Sequence, residues 1–172
     1  MKRYSKRDLF TLVSVLLVLV LLFVVPSVCV NLSYANPPIP QIKYGEFPFR
    51  LEYEINGRGV VVEDTLIIKY DGIKTSVSTG KSIKWKAYLA SNKKESNILL
   101  LKIDEKTGVY YCVGDPKFYM GDGGIAHFPV YIQYKSGNHV SIGGPPDDEL
   151  LERYGIKIIS WEFSDPIVNT FK

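Results

Sequence analysis

Hydrophobic and polar positions follow two regimes along this chain. From Leu9 to Val25 every residue except Thr11 and Ser14 is Leu, Val or Phe, with no charge. Beyond residue 45 the pattern becomes a series of short alternations with period two, separated by turn residues at hairpin spacing. A helix rises about 1.5 Å per residue, so the run from Leu9 to Val30 reaches roughly 33 Å, enough to cross a hydrocarbon core of about 30 Å. A buried core helix would need a polar face or a large protein around it, and this sequence has neither. The run predicts one N-terminal transmembrane helix over residues 9–30.

The second regime predicts strands. Phe47, Phe49, Leu51, Tyr53 and Ile55 alternate with Pro48, Arg50, Glu52 and Glu54, as in a half-buried strand. Asn56-Gly57 supplies the positive φ of a tight hairpin. In the return strand, Val60 to Tyr70, strict alternation puts Asp64 on the apolar face. A β-bulge near Glu63-Asp64 that turns it outward is expected, since an unpaired buried carboxylate is costly. Asp71-Gly72 reads as the next turn, with an edge strand over 73–78. Further strands are expected over 83–90, 98–103, 109–113, 125–135, 139–142 and 156–163. The ILLLKI stretch (98–103) is apolar on both faces and reads as a central strand. Residues 147–154 (DDELLERY) form a short helix, with acidic residues in its first turn and Gly155 as its stop. The expected fold is mainly β: an antiparallel sandwich or barrel-like domain with one short helix, preceded by one N-terminal transmembrane helix.

Charge sets the orientation. Lys2, Arg3, Lys6 and Arg7 precede the apolar run against Asp8 alone, which keeps the N-terminus cytoplasmic. The expected layout is a cytoplasmic basic tail (1–8), a transmembrane anchor (9–30), a Pro-rich linker (31–45) and an extracytoplasmic β-rich domain (46–172). Pro26 followed by Ser33-Tyr34-Ala35 also fits a signal peptide cut after Ala35, and secretion is the alternative localisation. Lipidation at Cys29 ranks third, because Val28 precedes it. The first eight residues hold four of the 21 basic residues and one of the 18 acidic ones, leaving 17 of each sign beyond them. The domain therefore has no electrostatic reason to bind nucleic acid. Cys112 is the single cysteine of the domain, so an internal disulfide is excluded and an intermolecular one stays open.

Familiar catalytic motifs fail when tested. Ser78-Thr79-Gly80-Lys81 and Lys106-Thr107-Gly108 match two boxes of penicillin-interacting serine enzymes, but between β segments and in a chain far too short. Gly80-Lys81-Ser82 lacks the earlier glycine of a P-loop, since Thr75 stands there. His127 and His139 have no familiar metal spacing, and no cofactor or metal is called for. The surplus chemistry is aromatic. With Val109, Tyr111 and Val113 inward, Tyr110 faces out, and Tyr131 lies opposite Phe128 and Val130. Candidate ligand-binding residues are Tyr110, Asp115, Tyr119, Asp122, His127 and Tyr131, in the Gly/Asp/Tyr-rich region 114–131 and beside it.

The stretches YGEFPFRLEYEING (44–57), VEDTLIIKYDG (62–72), KWKAYLAS (84–91) and FYMGD (118–122) resemble a group of small membrane-anchored proteins of Gram-positive bacteria. The resemblance implies an N-terminal span and an outside β domain, and it carries no activity, cofactor or functional residue. The expected function is a membrane-tethered extracytoplasmic binding module of the cell envelope, engaging a protein or glycan. The alternatives are a small envelope hydrolase using a carboxylate with His127, and a structural subunit of a membrane complex.

Overall fold

The computed structural model describes residues 6–20, 35–76, 78–125, 130–136, 139–144 and 147–172. In chain order the elements are α1 (Lys6–Leu19), β1 (Tyr44–Ile55), β2 (Arg58–Ser76), β3 (Gly80–Leu89), β4 (Asn97–Lys102) and β5 (Thr107–Cys112). There follow α2 (Pro116–Tyr119), β6 (Tyr131–Ser136), β7 (His139–Gly143), α3 (Asp147–Tyr154) and β8 (Ile156–Phe163). Strand makes up 51% of the structure, so the protein is mainly β. The strands form two four-stranded antiparallel sheets, ordered β3-β2-β1-β8 and β4-β5-β6-β7.

The chain divides into two compact units, Met1–Pro38 with Gly72–Lys84, and Ile39–Asp71 with Trp85–Lys172. In the first unit, α1 is apolar on every side from Phe10 to Leu19 apart from Thr11 and Ser14. Phe10, Leu12, Val13 and every residue from Val15 to Leu19 are exposed. The Ser14 hydroxyl donates to the Phe10 carbonyl at 2.9 Å. Among the described residues no helix is long and apolar enough to cross a membrane. Residues 21–30 of the expected span, Cys29 included, lie outside the described residues.

The second unit holds the core. The alternation in β1 buries Phe47, Phe49, Leu51 and Tyr53 on one face. They share one cluster with Leu66 and Ile68 of β2, Val109 and Tyr111 of β5, and Ile132 of β6, so both sheets turn their apolar faces to the same core. The Asn56-Gly57 turn has φ of 51° and 76°, as its hairpin requires. Chain pairing starts earlier than the sequence suggests, within the stretch expected to be linker. Ile39 and Lys172 exchange backbone hydrogen bonds at 2.7 and 3.0 Å, and Gln41 N donates to Thr170 O at 2.9 Å. The Asn169 side chain completes this seam. Its Oδ1 accepts from Ile42 N at 3.0 Å, and its Nδ2 donates to Ile42 O at 2.9 Å and Met120 O at 3.2 Å.

Several expectations are corrected. Asp71-Gly72 is not a turn: β2 runs unbroken from Arg58 to Ser76, and Gly72 takes φ 90° in mid-strand. The expected bulge at Glu63-Asp64 is absent, with Phe49 opposite Asp64 in an unshifted register. Asp64 stays on the inner face, half-buried, and is satisfied there. It accepts from its neighbour Thr65 N at 2.7 Å, and from the backbone and hydroxyl of Ser91. Register shifts lie elsewhere: one in β8, where the pairing with β1 shifts beside Glu52 and Tyr53 and leaves Ile159 exposed, and one in β4 between Leu99 and Leu101. ILLLKI is an edge strand, and Leu99 is 46% exposed. Ile125 lies outside any strand, and β6 begins at Tyr131.

Burial leaves a mark on the tyrosines. Desolvation pushes the Tyr119 hydroxyl up from 10.0 to about 12, and pushes Tyr111 up further. A raised folded value means that the folded state holds these protons more tightly than the unfolded chain. Their contribution to stability is therefore full below pH 10 and is lost as pH rises through about 12. An absorbance titration of tyrosinate is expected to show an ordinary class near pH 10 and a late class that ionises together with loss of near-UV circular dichroism. A single class near pH 10 with the fold intact would contradict this.

Candidate functional site

Alternation decides which side chains of the second sheet face away from the core. Val109, Tyr111 and Val113 are buried in and just beyond β5, and Val130 and Ile132 are buried in and just before β6. Tyr110, Cys112 and Tyr131 therefore stand on the opposite face. Register makes them neighbours: Leu99 of β4 lies opposite Tyr110 of β5, which lies opposite Tyr131 of β6. The two tyrosine rings are nearly parallel, with centroids 6.0 Å apart and planes 16° apart. Cross-strand aromatic pairs of this kind contribute up to about 1 kcal/mol each.

Gly108, two residues before Tyr110, makes room for this arrangement. A Cβ on residue 108 would meet Tyr110 Cε2 and Leu99 Cδ1, each at 2.9 Å. The Tyr110 ring thus leans back over the glycine, and Leu99 closes it from the edge strand. Asn97 pairs with Cys112 in register, on the side of the sheet that carries Tyr131. Burial is the main cause that pushes Tyr131 up to about 12, with Cys112 adding to it. Burial also pushes the Cys112 thiol up, so it is neutral at physiological pH and is no activated nucleophile. At neutral pH the Tyr131 hydroxyl and the Cys112 thiol stay uncharged.

The structure brings together two of the six sequence-predicted residues, Tyr110 and Tyr131. Asp115 is the N-cap of α2, with Oδ1 accepting from Lys117 N at 2.9 Å, and Gly124 packs against its carboxylate. Asp122 accepts from the Trp85 indole N–H at 2.9 Å. Tyr119 is buried, 1% exposed, with its hydroxyl donating to Val113 O at 2.7 Å. Tyr119 is therefore corrected from a surface position to the core: the turn of α2 aims it inward. His127 lies outside the described residues. Sequence reading missed Asn97, Leu99 and Gly108. The available signal was a glycine inside a strand pattern, two residues from an outward tyrosine.

Elsewhere, two carboxylates of the first hairpin, Glu52 and Glu63, are tied down by one arginine. Arg50 pairs with Glu52, with Glu63 at 3.2 Å and with Glu162 at 3.9 Å, on the solvent face of the first sheet. Among the described residues no group of three His, Cys, Asp or Glu side chains is placed to hold a metal ion. Replacing Asp122 by Ala is expected to cost about 1–3 kcal/mol, because the half-buried Trp85 N–H loses its acceptor. Denaturant unfolding of the full-length protein checks this; an unchanged midpoint would show that water satisfies the indole equally well. Compared with protein-family profiles, curated proteins and solved structures, the chain matches none.

Proposed function

We propose that the protein is a binding module of the cell envelope: an antiparallel β-sandwich tethered to the membrane by its N-terminal segment, with the domain outside. It presents the Tyr110–Tyr131 face of its second sheet to a ligand. The single observation that carries the reading is this tyrosine pair, set over Gly108 on a rigid sheet and facing away from the core. Aromatic rings fixed on strands bury contact area at low entropic cost, which suits them to recognition. The tether is supported by the basic start of the chain and by a helix, α1, whose apolar side chains have no protein cover.

The test is recovery of tagged full-length protein from membranes of its own cells, as wild type and as Tyr110→Ala/Tyr131→Ala, with intact mass on the same samples. The expected result is an envelope component that co-purifies with wild type and falls at least tenfold with the double variant, on a protein that still carries residues 1–35. Equal recovery by both would sink the binding face. A mature chain beginning at Asn36 would sink the tether and leave the face standing. The anchor has its own check. Leu19→Arg places a charge near the middle of the run, at a cost of about 2.5–3.5 kcal/mol for insertion. It is expected to shift much of the protein out of the alkali-resistant membrane fraction, whereas retention equal to wild type would count against the span.

A further inference from the structure

We infer that the arm formed by the end of β2 and the start of β3, Gly72–Lys84, docks on the anionic headgroups of the bilayer that holds its own chain. This rests on the tether proposed above and is independent of the tyrosine face. Beyond the basic tail the two signs of charge are equal in number, but they are not evenly spread. Residues 72–94 hold six lysines and no acid, and three of the six, Lys74, Lys81 and Lys84, stand in the arm. Asp71 and Glu95 are the nearest acids on either side. Lys74 and Lys84 are exposed, and Lys81 is half-buried. Ser78 and Thr79, between the two strands, are exposed as well, and hydroxyls beside ammonium groups suit phosphate oxygens. Lys81 and Lys84 fall on opposite faces of β3, an arrangement suited to an end-on approach to a planar layer.

Register makes the arm, and the entering chain holds it. β1 pairs with β2 as far as Tyr44 and Lys69, and β2 continues seven residues further, to Ser76, with β3 as its neighbour. The Ser76 and Ser78 hydroxyls meet at 3.1 Å at the tip. The arm belongs to the same compact unit as the N-terminal segment, and Lys81 Nζ donates to Asn36 Oδ1 of that segment at 3.0 Å. Asn36 is six residues beyond Val30, the end of the expected span, and six residues reach at most about 21 Å. Headgroups fill about 5–7 Å of that distance. The tether therefore keeps these lysines beside the bilayer on every copy of the chain. Docking is then intramolecular, so a few individually weak charge contacts suffice. An anionic polymer of the envelope would have the charge but not this enforced proximity.

The experiment is lysine acetylation, read by mass spectrometry, on full-length protein in lipid nanodiscs. One set of discs is phosphatidylcholine alone, and the other contains about one-third phosphatidylglycerol. The expected result is that Lys74, Lys81 and Lys84 are protected about threefold or more in the anionic discs, while exposed Lys102 and Lys157 label alike in both. The protection should vanish at about 1 M salt, where charges are screened within a few ångströms. In Lys74→Gln/Lys84→Gln, Lys81 should lose most of its protection, with near-UV circular dichroism unchanged. The wild-type comparison stands alone should that variant fail to fold. Equal labelling of the arm in the two discs, or protection that persists at about 1 M salt, would overturn the inference and leave the tether standing. A chain that elutes apart from the discs would overturn the tether, and this inference with it. Protection in whole cells but not in anionic discs would assign the arm to a partner other than lipid, and would equally overturn it.

Discussion

Tyr119→Ala is expected to lower the unfolding free energy by about 3–5 kcal/mol, the largest effect of any described residue in the 114–131 region. The ring sits where α2 meets the core. Its centroid is 4.9 Å from that of Phe47, 5.3 Å from Phe118 and 6.4 Å from Phe163. Removing it opens a cavity among rings that cannot all collapse inward, and small domains have only about 5–15 kcal/mol to lose. Tyr119→Phe separates packing from hydrogen bonding. It keeps the ring and leaves Val113 O without its donor, at an expected cost of about 1–2 kcal/mol. Guanidinium unfolding of the full-length protein in detergent, followed by near-UV circular dichroism, reads both. A loss below about 1 kcal/mol for the alanine variant would mean that Tyr119 is not a core residue.

Gly121→Ala follows, with an expected loss of about 2–3 kcal/mol. Gly121 has φ 65°, and a Cβ there would stand 2.6 Å from Ile167 O and 3.1 Å from Asn169 N. An L-residue pays the left-handed penalty of about 1–2 kcal/mol and must also push the C-terminal segment away. That segment is not free to move. Ile167 N donates to Tyr119 O at 2.9 Å, and Asn169 joins Met120 to Ile42. The loss should therefore appear with increased hydrogen exchange at Ile39, Gln41 and Lys172, whose amides lie in the same seam. By contrast Gly123→Ala meets nothing within 4 Å and should cost only the backbone penalty. Equal costs for the two glycines would show that the seam does not hold the loop.

These two residues show how far the sequence carries. A Gly/Asp/Tyr-rich loop looks like a ligand loop when read alone. In the fold its tyrosine fills the core, and its aspartates cap a helix and receive an indole N–H. Asp115-Pro116 carries a helix-start signal, but four residues are too few to show a period. The strands with one clean face were legible, β1 above all, because burial there repeats every second residue. The turn at Asn56-Gly57 and α3 with its Gly155 stop were legible for equally local reasons. What failed depended on partners distant in sequence. Asp64 needs no bulge because Ser91 receives it. Asp71-Gly72 has hairpin chemistry, yet the strand continues through it. ILLLKI has the composition of a central strand, but strand order puts it at an edge. The outward tyrosines were legible from their buried neighbours, whereas their stacking depended on the β5–β6 register, which no local pattern encodes.

The central claim is that the Tyr110–Tyr131 face is occupied in the envelope. Tyrosine footprinting by iodination, read by mass spectrometry, tests it most directly when intact cells are compared with purified full-length protein. The expected result is that Tyr110 and, more slowly because its hydroxyl is partly buried, Tyr131 label in the purified protein and are protected severalfold in cells, while exposed Tyr44 on the first sheet labels alike in both. Labelling of Tyr110 and Tyr131 that is the same in cells and in the purified protein would contradict the claim.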